Sequence, residues 1–312
     1  MRPSATRLAR LAALLVATAL AACNGEGRGS PPPLAEAADD SREAWELVYD
    51  LEIGGNADLF VVSAAEATPR QLTDVPGYDG MARFTPDGER IVFSSERTGH
   101  WQIFEIPAEG GAARQMRTNA ATEYQADPSP DGRSLAFLTN LDGPERLVLT
   151  DLSGGDLREL VRHGRKTIFG NPSWSVDGGQ IAFSSNWRIG HQIYVVDVAS
   201  GESRRISPLT SGGCEPRFTP DGRRVCYVSR GHLGSESRLV AHDLETGKEE
   251  VLVDWPALNY DPAFSPDGSE IAFASNISGR FAIYRQRLSD GKAWRVTHGP
   301  GQARYPDYRP RR

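Results

Sequence analysis

Thr85-Pro86-Asp87-Gly88 returns as Ser129-Pro130-Asp131-Gly132, Ser175-Val176-Asp177-Gly178, Thr219-Pro220-Asp221-Gly222 and Ser265-Pro266-Asp267-Gly268. Its aspartates are spaced 44, 46, 44 and 46 residues apart. A fixed step of this size marks a repeat architecture. The phrase itself is a tight turn. Proline presets φ at the second turn position, aspartate suits the next, and glycine accepts a left-handed backbone. The serine or threonine ahead of it can bond the turn backbone.

An alternating apolar run follows every turn: Arg90 to Ser94, Ser134 to Leu138, Gln180 to Ser184, Arg224 to Val228 and Glu270 to Ala274. Such β-branched and aromatic runs between turn signals predict strands. A Gly-bearing loop then leads to a further strand, as in Gln102 to Ile106, Gln192 to Val196 and Ala282 to Arg285, and another glycine turn to a short fourth one. With the strand ahead of the turn phrase, each unit holds four short antiparallel strands, one blade of a β-propeller. Residues 47–60 align without gaps with 271–284, so the folded part begins on the second strand of a blade. The missing first strand is Tyr305 to Pro310, which aligns with Asp261 to Pro266. The expected fold is therefore all-β, a six-bladed propeller closed by a composite blade from both chain ends, which leaves no open seam in the ring.

The pattern resembles the TolB-like six-bladed propeller family, whose repeat reads roughly P-x-[FW]-[ST]-P-D-G, then I-A-F-x-S and later I-Y. The resemblance covers residues 45–310, with Val176 in place of one turn proline and Pro128 in place of the aromatic that is Phe84, Trp174, Phe218, Phe264 or Tyr308 elsewhere. It implies a propeller and speaks less to activity, because the repeat serves binding proteins and peptidase-attached domains alike. By analogy with TolB, which works in the periplasm in the Tol–Pal system, it implies an envelope protein, Pal-like, as partner.

Residues 1–22 read as a targeting segment: Arg2, Arg7 and Arg10, then an apolar run from Leu11 to Ala22 too short for a permanent span. Leu20-Ala21-Ala22-Cys23 looks like a bacterial lipobox, which makes Cys23 the expected lipidated first residue. Asn24, in place of a retention aspartate, tilts the expectation toward the outer membrane, on its periplasmic side. Residues 23–43, with Pro31-Pro32-Pro33, form a tether too poor in apolar residues to build a core. The propeller then occupies residues 44–312 and hangs from a membrane surface as a monomer. With 35 basic and 41 acidic residues the chain carries a net charge of −6, and no basic stripe marks it for nucleic acid. Cys214 and Cys226 flank one hairpin turn. A disulfide and two buried thiols are both open readings.

No G-x-S-x-G elbow, metal-ligand spacing or phosphate loop occurs, and no cofactor is expected. The six histidines are scattered. One repeated position just before the inner-strand proline holds Met81, Gln125, Asn171, Glu215, Asp261 and Tyr305. These residues should ring one channel mouth, with Glu215 and Asp261 on adjacent blades. A polar ring of this kind either binds a ligand group or merely holds channel water. His100, His191 and Arg280 occupy matching loops, with Trp101 and Trp187 nearby as candidate contacts. The expected function is non-catalytic binding of an envelope protein. The alternative is a carbohydrate lyase or hydrolase acting on a glycan at the channel mouth through Glu215 and Asp261.

Overall fold

The computed structural model describes residues 34–35, 44–66, 68–164, 167–187, 190–209, 212–230 and 236–311. The targeting segment, Cys23 and most of the tether lie outside the described residues. Strands β1 (Glu46–Ile53), β2 (Asn56–Ser63) and β3 (Arg70–Gln71) open the fold. Blade I is β4 (Asp79–Phe84), β5 (Arg90–Ser95), β6 (Gln102–Pro107) and β7 (Arg114–Gln115). Blade II is β8 (Glu123–Pro128), β9 (Ser134–Thr139), β10 (Arg146–Asp151) and β11 (Arg158–Arg162). Blade III is β12 (Phe169–Trp174), β13 (Gln180–Ser185), β14 (Gln192–Asp197) and β15 (Ser203–Arg205). Blade IV is β16 (Cys214–Phe218), β17 (Arg224–Arg230), β18 (Ser237–Asp243) and β19 (Glu249–Val253). Blade V is β20 (Asn259–Phe264), β21 (Glu270–Ser275), β22 (Ala282–Arg287) and β23 (Ala293–Arg295). The last strand, β24 (Gln302–Tyr308), returns to pair antiparallel with β1, giving the sheet order β24-β1-β2-β3. The six four-stranded blades and the composite closure agree with the sequence reading.

The turns show why their phrase repeats. In all five, the Ser or Thr hydroxyl donates to the aspartate Oδ1 at 2.5–2.6 Å. The same oxygen accepts the N–H five residues on, as from Arg90 to Thr85 at 3.0 Å. The aspartate Oδ1 also takes the N–H two residues beyond it. These side chains satisfy backbone donors that the hairpin leaves over.

Second strands bury both faces. Ile91 and Phe93 pack toward the composite blade with Val48, Leu59 and Val61, while Val92 packs toward blade II with Ala126, Leu135 and Phe137. The core is thus a set of interblade layers arranged around the ring.

The seam beside β24 carries a charged clamp. Arg285, 2% exposed, donates to Glu270 through Nε at 3.0 Å and Nη2 at 2.5 Å, and to the Tyr308 hydroxyl at 3.2 Å. Its guanidinium also lies over the Trp45 ring at 4.1 Å. Arg285→Met should lower unfolding free energy by about 3 kcal/mol, because it strands a half-buried carboxylate and opens the seam. Arg224→Met, which removes an exposed pair with Glu250, should cost under about 1 kcal/mol. Urea unfolding compares the two, and equal midpoints would contradict the clamp.

Candidate functional site

Inner strands start on one face of the propeller, the mouth face, and run to the turn phrases on the other, the turn face. Each inner strand has one residue more than its partner at the same place. Gly80 pairs with Ser94, but Arg83, three residues on, pairs with Val92. The same offset interrupts β8, β12, β16, β20 and β24. At each bulge the extra residue is left-handed: Met81 (φ 55°), Gln125 (54°), Asn171 (47°), Glu215 (54°), Asp261 (55°) and Tyr305 (50°). This is the ring of residues singled out by the repeat, and the structure brings all six to the mouth. None is a glycine, so each costs about 1–2 kcal/mol of backbone strain.

The bulge frees an N–H that the ladder would have used, and at five of the six bulges the preceding blade accepts it. The Asn171 N–H donates to Gln125 Oε1 at 2.8 Å, and the Asp261 N–H to Glu215 Oε2 at 2.7 Å. The Tyr305 N–H reaches Asp261 Oδ2 at 3.3 Å, the Met81 N–H reaches Asp50 Oδ1 at 3.3 Å, and the Gln125 N–H reaches Ser94 Oγ at 2.9 Å. The ring side chains therefore stitch blade to blade.

Blades IV, V and the composite concentrate charge. Arg304 donates to Asp261 through Nε at 2.5 Å and Nη2 at 3.2 Å, and stands 3.7 Å from Glu215. Its guanidinium lies over Phe281 at 4.7 Å and Tyr305 at 5.1 Å. Asp50 accepts the Tyr78 hydroxyl at 2.8 Å. Gly80 leaves room for this pair, since a Cβ there would fall 2.4 Å from the Tyr78 ring and 3.0 Å from the Asp50 carboxyl. Burial pushes the Asp50 carboxyl up to about 7, against the Tyr78 and Met81 hydrogen bonds that pull it down. Burial and the neighbouring Asp261 push Glu215 upward as well.

Two residues further along each inner strand a second level crosses the channel. Arg217 of blade IV donates to Asp127 of blade II at 3.1 Å and to Asp307 of the composite blade at 2.9 Å. Arg83 lies 3.7 Å from Asp127. The remaining oxygens of these aspartates accept the Trp174 and Phe84 N–H groups at 2.8 and 2.9 Å. The mouth is thus a cup whose floor is an ion-pair lattice. The sequence reading passed over this level, although the same alignment that found the ring would have aligned Arg83, Asp127, Arg217 and Asp307.

The candidate loop residues divide. Trp187 is 41% exposed and stacks on His163 at 4.0 Å and 18°. The His191 side chain is exposed. Arg280 is tied to the Gly299 carbonyl at 3.2 Å, and His100 to the Asn119 carbonyl at 3.2 Å, each holding its loop to the link into the next blade. Trp101 departs from the expectation of a contact residue. It is buried and packs edge-on at 5.3 Å against Tyr78, in the link that leads from the composite blade into blade I. Cys214 lies opposite Val228 and Cys226 opposite Arg217, so the bulge sets their pairings two positions apart on β17 and three on β16, and the two thiols are unbonded. Among the described residues no group of three or more His, Cys, Asp or Glu is arranged to hold a metal.

A family model described as the TolB beta propeller domain (PD40) matches residues 37–167, 128–230 and 213–311. Dipeptidyl-peptidase 5 of Porphyromonas gingivalis is 31% identical over 149 residues, 44% of this chain and 22% of the peptidase. The chain thus matches about a fifth of the length of that relative. TolB from Acinetobacter baumannii superposes with a TM-score of 0.74 at 20% identity, over 86% of this chain and 67% of that one. Oligogalacturonate lyase from Vibrio parahaemolyticus gives 0.56 at 16% identity, over 80% and 73%. At these identities the two structures share the fold alone.

Because burial raises the Asp50 pKa, its stability contribution is full below the unfolded value of about 4 and is lost as pH rises through about 7. Asp50→Asn removes that loss. Relative to the parent it should gain about 1.4 kcal/mol per pH unit between about pH 4 and 7, then level off. Urea titrations across this range test it. A pH-independent difference would show that Asp50 ionises normally.

Proposed function

The chain belongs to the TolB β-propeller family, and on that premise we propose that it is a non-catalytic cell-envelope lipoprotein whose mouth face binds a protein partner. The state of the mouth carries this reading. Its carboxylates, Glu215, Asp261 and Asp50, already bond Arg304, backbone N–H groups or Tyr78. The lattice of Arg217 with Asp127 and Asp307 closes the channel below them. Each of these carboxyl groups bridges two neighbouring blades, a structural role that accounts for it without a substrate. What the face offers outward is a half-exposed Trp187 on a rigid histidine stack, with His191 beside β14. Large aromatics on a preorganised scaffold are the usual anchors of protein interfaces. Cys23 would carry the lipid and hold the propeller on the periplasmic side of a membrane. The partner would be an envelope protein, Pal-like by analogy with TolB.

Residues 24–312 without the lipid, immobilised and washed with a detergent extract of the source envelope, should retain one enriched envelope protein. Trp187→Ala should weaken its retention at least tenfold, about 1.4 kcal/mol, while Asp261→Asn leaves it within a factor of about two. Retention lost in Asp261→Asn but kept in Trp187→Ala would move the site into the cup and favour a small ligand. No enriched protein would count against the reading.

A further inference from the structure

The fourth strand of each blade is its outer edge, and an open edge invites pairing unless charge blunts it. Five of the six edges open on polar or charged residues: Arg70-Gln71, Arg114-Gln115, Arg158-Glu159, Ser203-Arg204 and Glu249-Glu250. Blade V instead opens with Ala293-Trp294, and these two residues are only 1% and 3% exposed. This edge lacks a guard because it is covered. Leu34 forms a parallel bridge with Ala293, and the Ala35 N–H donates to the Ala293 carbonyl at 2.8 Å. Arg287 and Lys292 lie over the Trp294 ring at 5.1 and 5.6 Å.

We infer that the N-terminal segment around Leu34 and Ala35 docks as an added edge strand on blade V, and that this contact shortens the leash by which the turn face of the propeller is held toward the membrane. The bridge is parallel, and β23 starts beside the Asp290-Gly291 turn on the turn face. At Leu34 the chain therefore runs from the turn face toward the mouth face. From Cys23 to Leu34 is eleven residues, a reach of about 40 Å, against about 75 Å for an undocked leash running to Ala44. The short leash holds the turn face toward the bilayer and presents the mouth, with Trp187, away from it. The orientation rests on the lipidation of Cys23 proposed above. The docking does not.

Two measurements separate these claims. In lipid-free residues 24–312, amide exchange at Ala35 should be at least tenfold slower than in the free peptide. Ala293→Arg, which restores an edge guard, should return it to the peptide rate, and so should Leu34→Asp, which leaves the propeller itself untouched. A peptide-like rate in the parent protein would overturn the docking. In the lipidated full chain on phosphatidylethanolamine–phosphatidylglycerol vesicles, energy transfer from a lipid dye should be stronger to a label at Glu245→Cys on the turn face than at Thr98→Cys on the mouth face. Leu34→Asp, which lengthens the leash, should reduce that difference. Stronger transfer to Thr98→Cys would overturn the orientation. Failure of the chain to bind vesicles at all, with Cys23→Ser behaving alike, would overturn lipidation and orientation together while the exchange result still decides the docking.

Discussion

One extra residue on each inner strand governs this molecule. Without it β4, β8, β12, β16, β20 and β24 would be plain edge strands facing an empty shaft, each with a row of unpaired backbone groups. With it the strand bends, a side chain turns along the channel wall, and in five of the six an N–H is bonded to the preceding blade. Left-handed residues other than glycine cost about 1–2 kcal/mol each, and a net hydrogen bond returns about 1 kcal/mol. The two nearly cancel. The bulges persist because ring closure leaves each inner strand no alternative partner. Their product is geometric: adjacent blades are held at fixed angle by polar bonds at the axis, where there is too little apolar surface to do so.

The scaffold is close to sixfold, and its decoration is not. Met81, Gln125 and Asn171 give blades I to III a neutral rim, whereas Glu215, Asp261, Asp50 and Arg304 load the opposite half with buried charge. The second level is a chord. Arg217 reaches blades two places away on either side, a span available only at the axis, where the inner strands converge. Breaking a buried pair of this kind strands its partners, which is costlier than never having built it. The lattice therefore fixes the diameter of the ring as well as the depth of the cup.

The fold was legible because a turn needed five times is written five times, and because the alignment of residues 47–60 and 305–310 onto one blade makes the composite closure the remaining solution. The ring positions were legible for the same reason. Their left-handed backbone was not: the usual sign of positive φ is glycine, and these positions carry Met, Gln, Asn, Glu, Asp and Tyr. Nor was the role of Asp50 and Arg304, which precede or follow the repeated phrase and gain meaning only when the ends meet. Trp101 illustrates the remaining limit. Two tryptophans in equivalent loops have equal claim on a partner in the sequence, yet one packs on Tyr78 and the other stands on His163 in solvent. Loop direction decides between them, and it is set by contacts to the next blade, of which Asn119 and Gly299 carry two.

Under the reading proposed above, the mouth serves recognition. There Glu215 joins blades IV and V through the Asp261 N–H, and Asp261 joins blade V to the composite blade through Arg304. A partner docking on Trp187 and the rim would leave those bonds in place and would meet a surface whose conformational entropy was already lost on folding. The same economy explains the unguarded edge at Ala293. A strand edge left apolar is a hazard only to a chain with nothing to lay on it, and Leu34 and Ala35 supply that cover from within the sequence.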